Sequence, residues 1–168
     1  MQRRNISNQL APLVVIDFDA LVKAPEPGWG LKVYEWLRDY QFCGTSFRPG
    51  LWLFRKLLPF YISRYKLTRE AETAGWWLLD KGLRIEVLVR APYAAGLVKA
   101  VEHVLGEFPN SGFHLVVTAD LGSQAMDIHQ YCRGERALRF YTRDKELAKY
   151  LPTSLVLYVD QWDESIIR

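Results

Sequence analysis

Cysteine is scarce. The 168 residues hold two, Cys43 and Cys132, too far apart to read as a metal-binding pair, so ordinary reduced thiols are expected rather than a disulfide scaffold or zinc centre. The three histidines, His103, His114 and His129, show no ligand spacing with either cysteine or with an aspartate. Long apolar runs are also missing. A bilayer-spanning helix needs ~20 consecutive apolar residues, and the most apolar window, 51–62, is broken by Arg55, Lys56 and Pro59. The opening residues MQRRNISNQLAP are polar, so no secretory signal is expected and the expected location is the cytoplasm. Charge of one sign does not dominate: 22 Lys and Arg face 19 Asp and Glu, and a net +3 does not argue for nucleic acid by itself. No Gly-rich loop follows the first strand candidate, which argues against dinucleotide and P-loop sites. Neither internal repeats nor low-complexity linkers are found.

What is present is apolar material for a core. Hydrophobic residues make up 49% of the chain and aromatics 14%, which fits one folded domain over 1–168. The segment 13–16 is an unbroken apolar run after Pro12 and ending at Asp17-Phe-Asp19, the pattern of a strand covered on both faces. A loop by composition follows at 24–28. Residues 31–42 read as a helix stopped by Gly44. The stretch 47–66 is aromatic and basic, with Pro49 and Pro59 as breaks. Thr68 suits the cap of a helix to about 81, with Glu70 and Glu72 at its positive end and Gly82 just past its other end. Residues 83–89 form a second strand candidate. From 94 to 108 the apolar face of an amphipathic helix is clear. Further strands are expected at 114–118, 137–142 and 155–159, with a short helix at 144–150.

Strands alternating with helices imply βαβ units and a mainly parallel, Rossmann-like sheet flanked by helices. In such sheets ligands sit beyond the carboxyl ends of the strands. Asp17, Asp19, Arg90 and Asp160 all fall at such ends. Asp17 and Asp19 flank one residue, so both point to one side of an extended chain. Acids converging in a cleft repel one another, and a hard cation such as Mg²⁺ relieves that repulsion and can neutralise a phosphate. The bland alternative is an aspartate capping the turn after a strand.

These residues resemble a known family. LVVIDFDALV is similar to the first motif of the haloacid-dehalogenase superfamily, a hydrophobic strand running into Asp-x-Asp. LLDKGLRIEVLVRAP resembles its second region. DKELAKYLPTSLVLYVDQWDE resembles the third and fourth, a lysine near a helix start followed by a strand closing in acids. The resemblance implies a haloacid-dehalogenase-like fold with a helical cap or insertion, here 23–84, between the first two strands. It implies an Mg²⁺-dependent phosphohydrolase acting through an aspartyl-phosphate on a phosphorylated substrate. Asp17 would be the nucleophile and Asp19 the acid/base. Lys145, or its rival Lys149, would steady the phosphoryl group. Asp17, Asp19, Asp160 and Asp163 would hold the metal.

The pattern also departs from the family. Its second motif ends in Thr or Ser, where this chain has Arg90-Ala91. Arg90 could clamp a phosphate, or it could fill the site and pair with Asp17. Leu21 stands where the first motif usually carries Thr or Val, and Gln161 replaces a second acid. A catalytically degenerate relative that serves as a binding or assembly protein is the competing expectation. A third is a PIN-like metal-dependent nuclease using Asp17, Asp120, Asp144 and Asp160. The 47–66 segment could be a cap, a contact for a protein partner or for a membrane surface, or core-facing helix with its basic stems snorkelling. Trp76 and Trp77 are read as packing.

Overall fold

All five residues of β1 (Leu13–Asp17) are buried. In the computed structural model, which describes residues 11–25, 32, 36, 48–118 and 120–163, this strand is the centre of a five-stranded sheet. Its neighbours are β4 (Arg84–Arg90) on one side and β6 (Ala137–Thr142) on the other. Beyond them lie β5 (Gly112–Val116) and β7 (Val156–Tyr158), giving the order β5-β4-β1-β6-β7. Every pairing is parallel. Apolar-only strands are what a sheet covered on both faces requires.

The pleat divides the core in two. Val14 and Ile16, with Ile85, Val87, Val89 and Tyr141, face helices α1 (Phe18–Leu21), α2 (Arg48–Ile62), α3 (Arg69–Asp80) and α4 (Leu97–Leu105). Leu13 and Val15, with Leu88, Val116 and Phe140, face α5 (Leu121–Gly134) and α6 (Lys145–Lys149). A side-chain period of two thus decides which helices each strand residue meets.

The chain between β1 and β4 carries α1, a short antiparallel ribbon of β2 (Val22–Lys23) and β3 (Lys66–Leu67), then α2 and α3. Of the helix expected at 31–42, only Lys32 and Trp36 are among the described residues, both helical and exposed; the rest lies outside them. α2 corrects one expectation. Pro59 does not end it, and the helix runs on to Ile62. Its apolar stripe of Phe54, Leu58, Tyr61 and Ile62 is buried, and packing of that stripe outweighs one missing N–H in the last turn. Pro49 falls in the first turn, where the N–H has no helical partner to lose. Thr68 caps α3, its Oγ1 accepting from the Ala71 N–H at 3.2 Å while donating to the Leu21 carbonyl. Gly82 follows at φ +76°, the left-handed residue past a helix end that glycine takes at least cost. Among the described residues, no helix is long and apolar enough to cross a membrane.

Candidate functional site

Parity along the strands aims three side chains at one place. Asp17 continues the Leu13–Val15 face, Arg90 the Leu88 face and Thr142 the Phe140 face. All three leave the carboxyl ends of adjacent parallel strands on the side covered by α5 and α6. Asp144 stands two residues past β6, where its Oδ1 accepts from the Leu147 N–H at 3.0 Å and caps α6. Gln124, in the first turn of α5, closes the group from above; it donates to the Thr118 carbonyl at 2.9 Å.

Arg90 occupies the middle. Its guanidinium lies 2.9 Å from Asp17, 2.8 Å from Asp144 and 3.4 Å from Asp19, and Nη1 also donates to Gln124 Oε1 at 3.4 Å. Thr142 Oγ1 donates to Asp17 Oδ2 at 2.8 Å and accepts from the Asp144 N–H at 3.1 Å. Both oxygens of Asp17 are therefore engaged, Oδ1 by Arg90 Nε at 3.4 Å. Asp17 is 1% exposed, whereas the Asp19 side chain is 60% exposed.

The electrostatics follow from this geometry. Burial pushes the Asp17 carboxyl up to about 6, against the pull of Arg90 and with a further push from Asp19. For Arg90 burial acts to lower the pKa, but Asp17, Asp19 and Asp144 outweigh it and hold the guanidinium charged. Burial likewise acts to raise Asp144, and the Leu147 N–H and Arg90 reverse it, leaving this carboxyl below its ordinary value.

The expected residues divide sharply. Asp17, Asp19 and Arg90 come together. Asp160 and Asp163 do not join them. β7 is separated from β1 by β6, and Asp160 is exposed beyond the sheet edge, accepting from the Tyr158 hydroxyl at 3.3 Å. Asp163 is also exposed. Of the expected metal set, Asp17 and Asp19 lie at the end of β1, while Asp160 and Asp163 follow β7, two strands away in the sheet order. Lys145 is exposed with Nζ 5.1 Å from the Tyr158 ring centre, and Lys149 pairs with Glu146 at 2.6 Å; neither appears among the partners of Asp17. Asp144, Thr142 and Gln124 stand around Arg90 and Asp17 instead. Asp120 caps α5 through the Ser123 N–H, so the four-acid nuclease set is not assembled either.

The magnesium that the resemblance implies does not fit these residues. Among the described residues no group of three His, Cys, Asp or Glu is disposed to hold a metal ion, and the space between Asp17, Asp19 and Asp144 is taken by a guanidinium that brings its own positive charge.

No family model and no curated protein matches the chain. Solved structures do. Phosphoserine phosphatase in apo form is similar over 88% of this chain and 86% of that one, with 13% identity and a TM-score of 0.50. A phospho-aspartyl intermediate analogue of phosphoserine phosphatase is similar over 88% and 85%, with 13% identity and the same TM-score. Phosphoserine phosphatase from T. onnurineus in complex with NDSB-201 is similar over 98% and 97%, with 12% identity and a TM-score of 0.51. Strand order, the Asp-x-Asp closing β1 and these similarities together give the chain a divergent haloacid-dehalogenase-like fold.

Proposed function

We propose that this chain is a degenerate member of its fold, a binding or assembly module in which Arg90 stands where a divalent ion would otherwise balance the acids. One observation carries the reading: the Arg90 guanidinium sits among Asp17, Asp19 and Asp144 at 2.8 to 3.4 Å. A phosphotransfer centre needs an accessible nucleophile and room for a phosphoryl group. Here the buried Asp17 spends its lone pairs on Arg90 and Thr142. Asp144 is also met by the Leu147 N–H at the start of α6, while Gln124 accepts from Arg90 and fixes the guanidinium in place.

The second reading is the Mg²⁺-dependent phosphohydrolase acting through an aspartyl-phosphate, on a phosphorylated substrate. It is favoured by Asp17 and the exposed Asp19 at the end of the central strand. In that reading Arg90 swings out to clamp the substrate's phosphate bidentately.

Hydrolysis of para-nitrophenyl phosphate with Mg²⁺, together with calorimetric titration of Mg²⁺, separates the two. The wild-type chain is expected to give neither turnover nor Mg²⁺ binding. Arg90→Ala leaves three acids without a counter-charge, so it should lose about 3–5 kcal/mol of stability and gain Mg²⁺ binding. Arg90→Lys keeps the charge and should stay closer to wild type if the alanine variant does not fold. Turnover by the wild-type protein that Asp17→Asn abolishes would overturn the degenerate reading.

A further inference from the structure

A second region concentrates chemistry that the carboxylate site does not use. From Tyr40 to Arg69 the sequence has no Asp or Glu but six basic residues, Arg48, Arg55, Lys56, Arg64, Lys66 and Arg69. The whole chain carries only +3, so the remainder is net negative and the polarity is a property of this segment. α2 turns Phe54, Leu58, Tyr61 and Ile62 inward. Its outer side presents Trp52 (64% exposed), Leu53 and Phe60 (53% exposed). Along that side aromatic and basic residues alternate at four-residue steps: Trp52, Lys56, Phe60, and Arg64 just past the helix. Lys56 Nζ lies 5.9 Å from the Trp52 ring centre, and the Arg64 guanidinium 4.4 Å from that of Phe60.

Beside this ridge, Lys23, Ala24, Pro25, Arg64 and Lys66 line an open cleft of about 300 Å³. Lys23 and Lys66 are directly opposite each other on the antiparallel β2–β3 ribbon. Like charges in that position destabilise a strand pair, and a third cation lines the same space. Among the described residues none of the three is paired with a carboxylate, and no acidic side chain lines the cleft. Three cations held together at a cost to the fold are arranged for an anion.

We infer that this face is a docking surface for an anionic membrane. α2 lies along the bilayer with Trp52, Leu53 and Phe60 at the level of the headgroups, and the Lys23–Arg64–Lys66 cleft takes a lipid phosphate. Apolar side chains on a convex helix, ringed by basic ones, match the amphipathic helices that rest in an interface. Each Lys or Arg near an anionic surface adds attraction that falls off within a Debye length. Single-stranded nucleic acid is held in a positively charged groove that tracks its backbone, whereas Trp52, Leu53 and Phe60 stand out on the outer side of a helix. The inference stands whether or not the carboxylate site is catalytic.

Co-flotation of the full chain tests it with two vesicle preparations, phosphatidylcholine alone and phosphatidylcholine mixed with phosphatidylserine. The chain should bind only the mixed vesicles, and less at high salt. Trp52→Ala/Phe60→Ala should weaken binding at every salt concentration. Lys23→Gln/Lys66→Gln should lower vesicle affinity about tenfold or more while leaving thermal stability equal or higher, because the repulsion across the ribbon is gone. Equal binding to both vesicles, no binding to either, displacement by an RNA oligomer at comparable concentration, or full affinity in Lys23→Gln/Lys66→Gln would each overturn the assignment.

Discussion

Asp17 is held by opposing forces, and its pH response tells which is larger. Its folded carboxyl stands at about 6 against an ordinary 3.8, so between those values the folded protein binds more proton than the unfolded chain. Stability contributed by this group is complete below about pH 4 and is lost as pH rises through about 6. Asp144 works in the opposite sense and in a lower range, since its carboxyl is depressed and its contribution fades only as pH falls below the ordinary value. Urea unfolding of wild type and Asp17→Asn at pH 4.5 and 7 isolates the Asp17 part, because Glu86, also raised by burial, is common to both. Wild type should lose stability between those pH values relative to the variant. A relative gain would mean that the pairing with Arg90 outweighs burial. Of this site Asp17, Asp19 and Arg90 were legible as residues at strand ends. Thr142 and Gln124 were not, because a threonine ending a strand and a glutamine inside a polar helix carry no local mark of burial; only the sheet above and below makes them members of the cluster.

At the scale of elements, legibility followed the strength of local signals. α3 carried a cap, acids in its first turn and a glycine past its end, and the structure uses each. α5 carried little: Asp120 at its start and Ala125, Ile128 and Cys132 inward, among Gly122, Gly134 and many polar residues. Its apolar face is too thin to announce a helix, and tertiary packing on β1 and β6 supplies the rest. α3 also hides a constraint that helix propensity misjudges. Alanine in place of Gly75 would ordinarily favour a helix by about 1 kcal/mol. A Cβ there would lie 2.5 Å from Cε2 and 2.9 Å from Cζ of Phe108, itself buried. Phe108 belongs to the larger core cluster, so a shift of its ring must displace buried neighbours. Gly75→Ala should therefore lower stability by about 1–3 kcal/mol in thermal or urea unfolding. Gly75→Ala combined with Phe108→Leu should recover part of that loss, and an unaltered melting temperature in the single variant would contradict the close approach.

Across the whole molecule, the sequence supported a parallel sheet yet left strand order open, and strand order decides the site. β6 and β7 each run into an aspartate, Asp144 after Thr142-Arg143 and Asp160 after Val159, and both are preceded by helical segments. Nothing local distinguishes them. The pairing of β6 with β1 does: it delivers Asp144 to Arg90 and strands Asp160 at the margin. The two acids should therefore differ in energetic weight even though they look alike in one dimension. Asp144→Asn retains a side chain able to cap α6 but removes the charge 2.8 Å from Arg90. With Asp17 and Asp19 still present to share the guanidinium, the loss should be about 1–3 kcal/mol. Asp160 makes an exposed hydrogen bond to Tyr158, and Asp160→Asn should fall within about 0.5 kcal/mol of wild type. Urea denaturation of the two variants side by side tests the strand order through its energetic consequence. If Asp160→Asn proved the costlier change, β7 rather than β6 would have to lie beside β1, and the ion-pair cluster around Arg90 would lose its third acid.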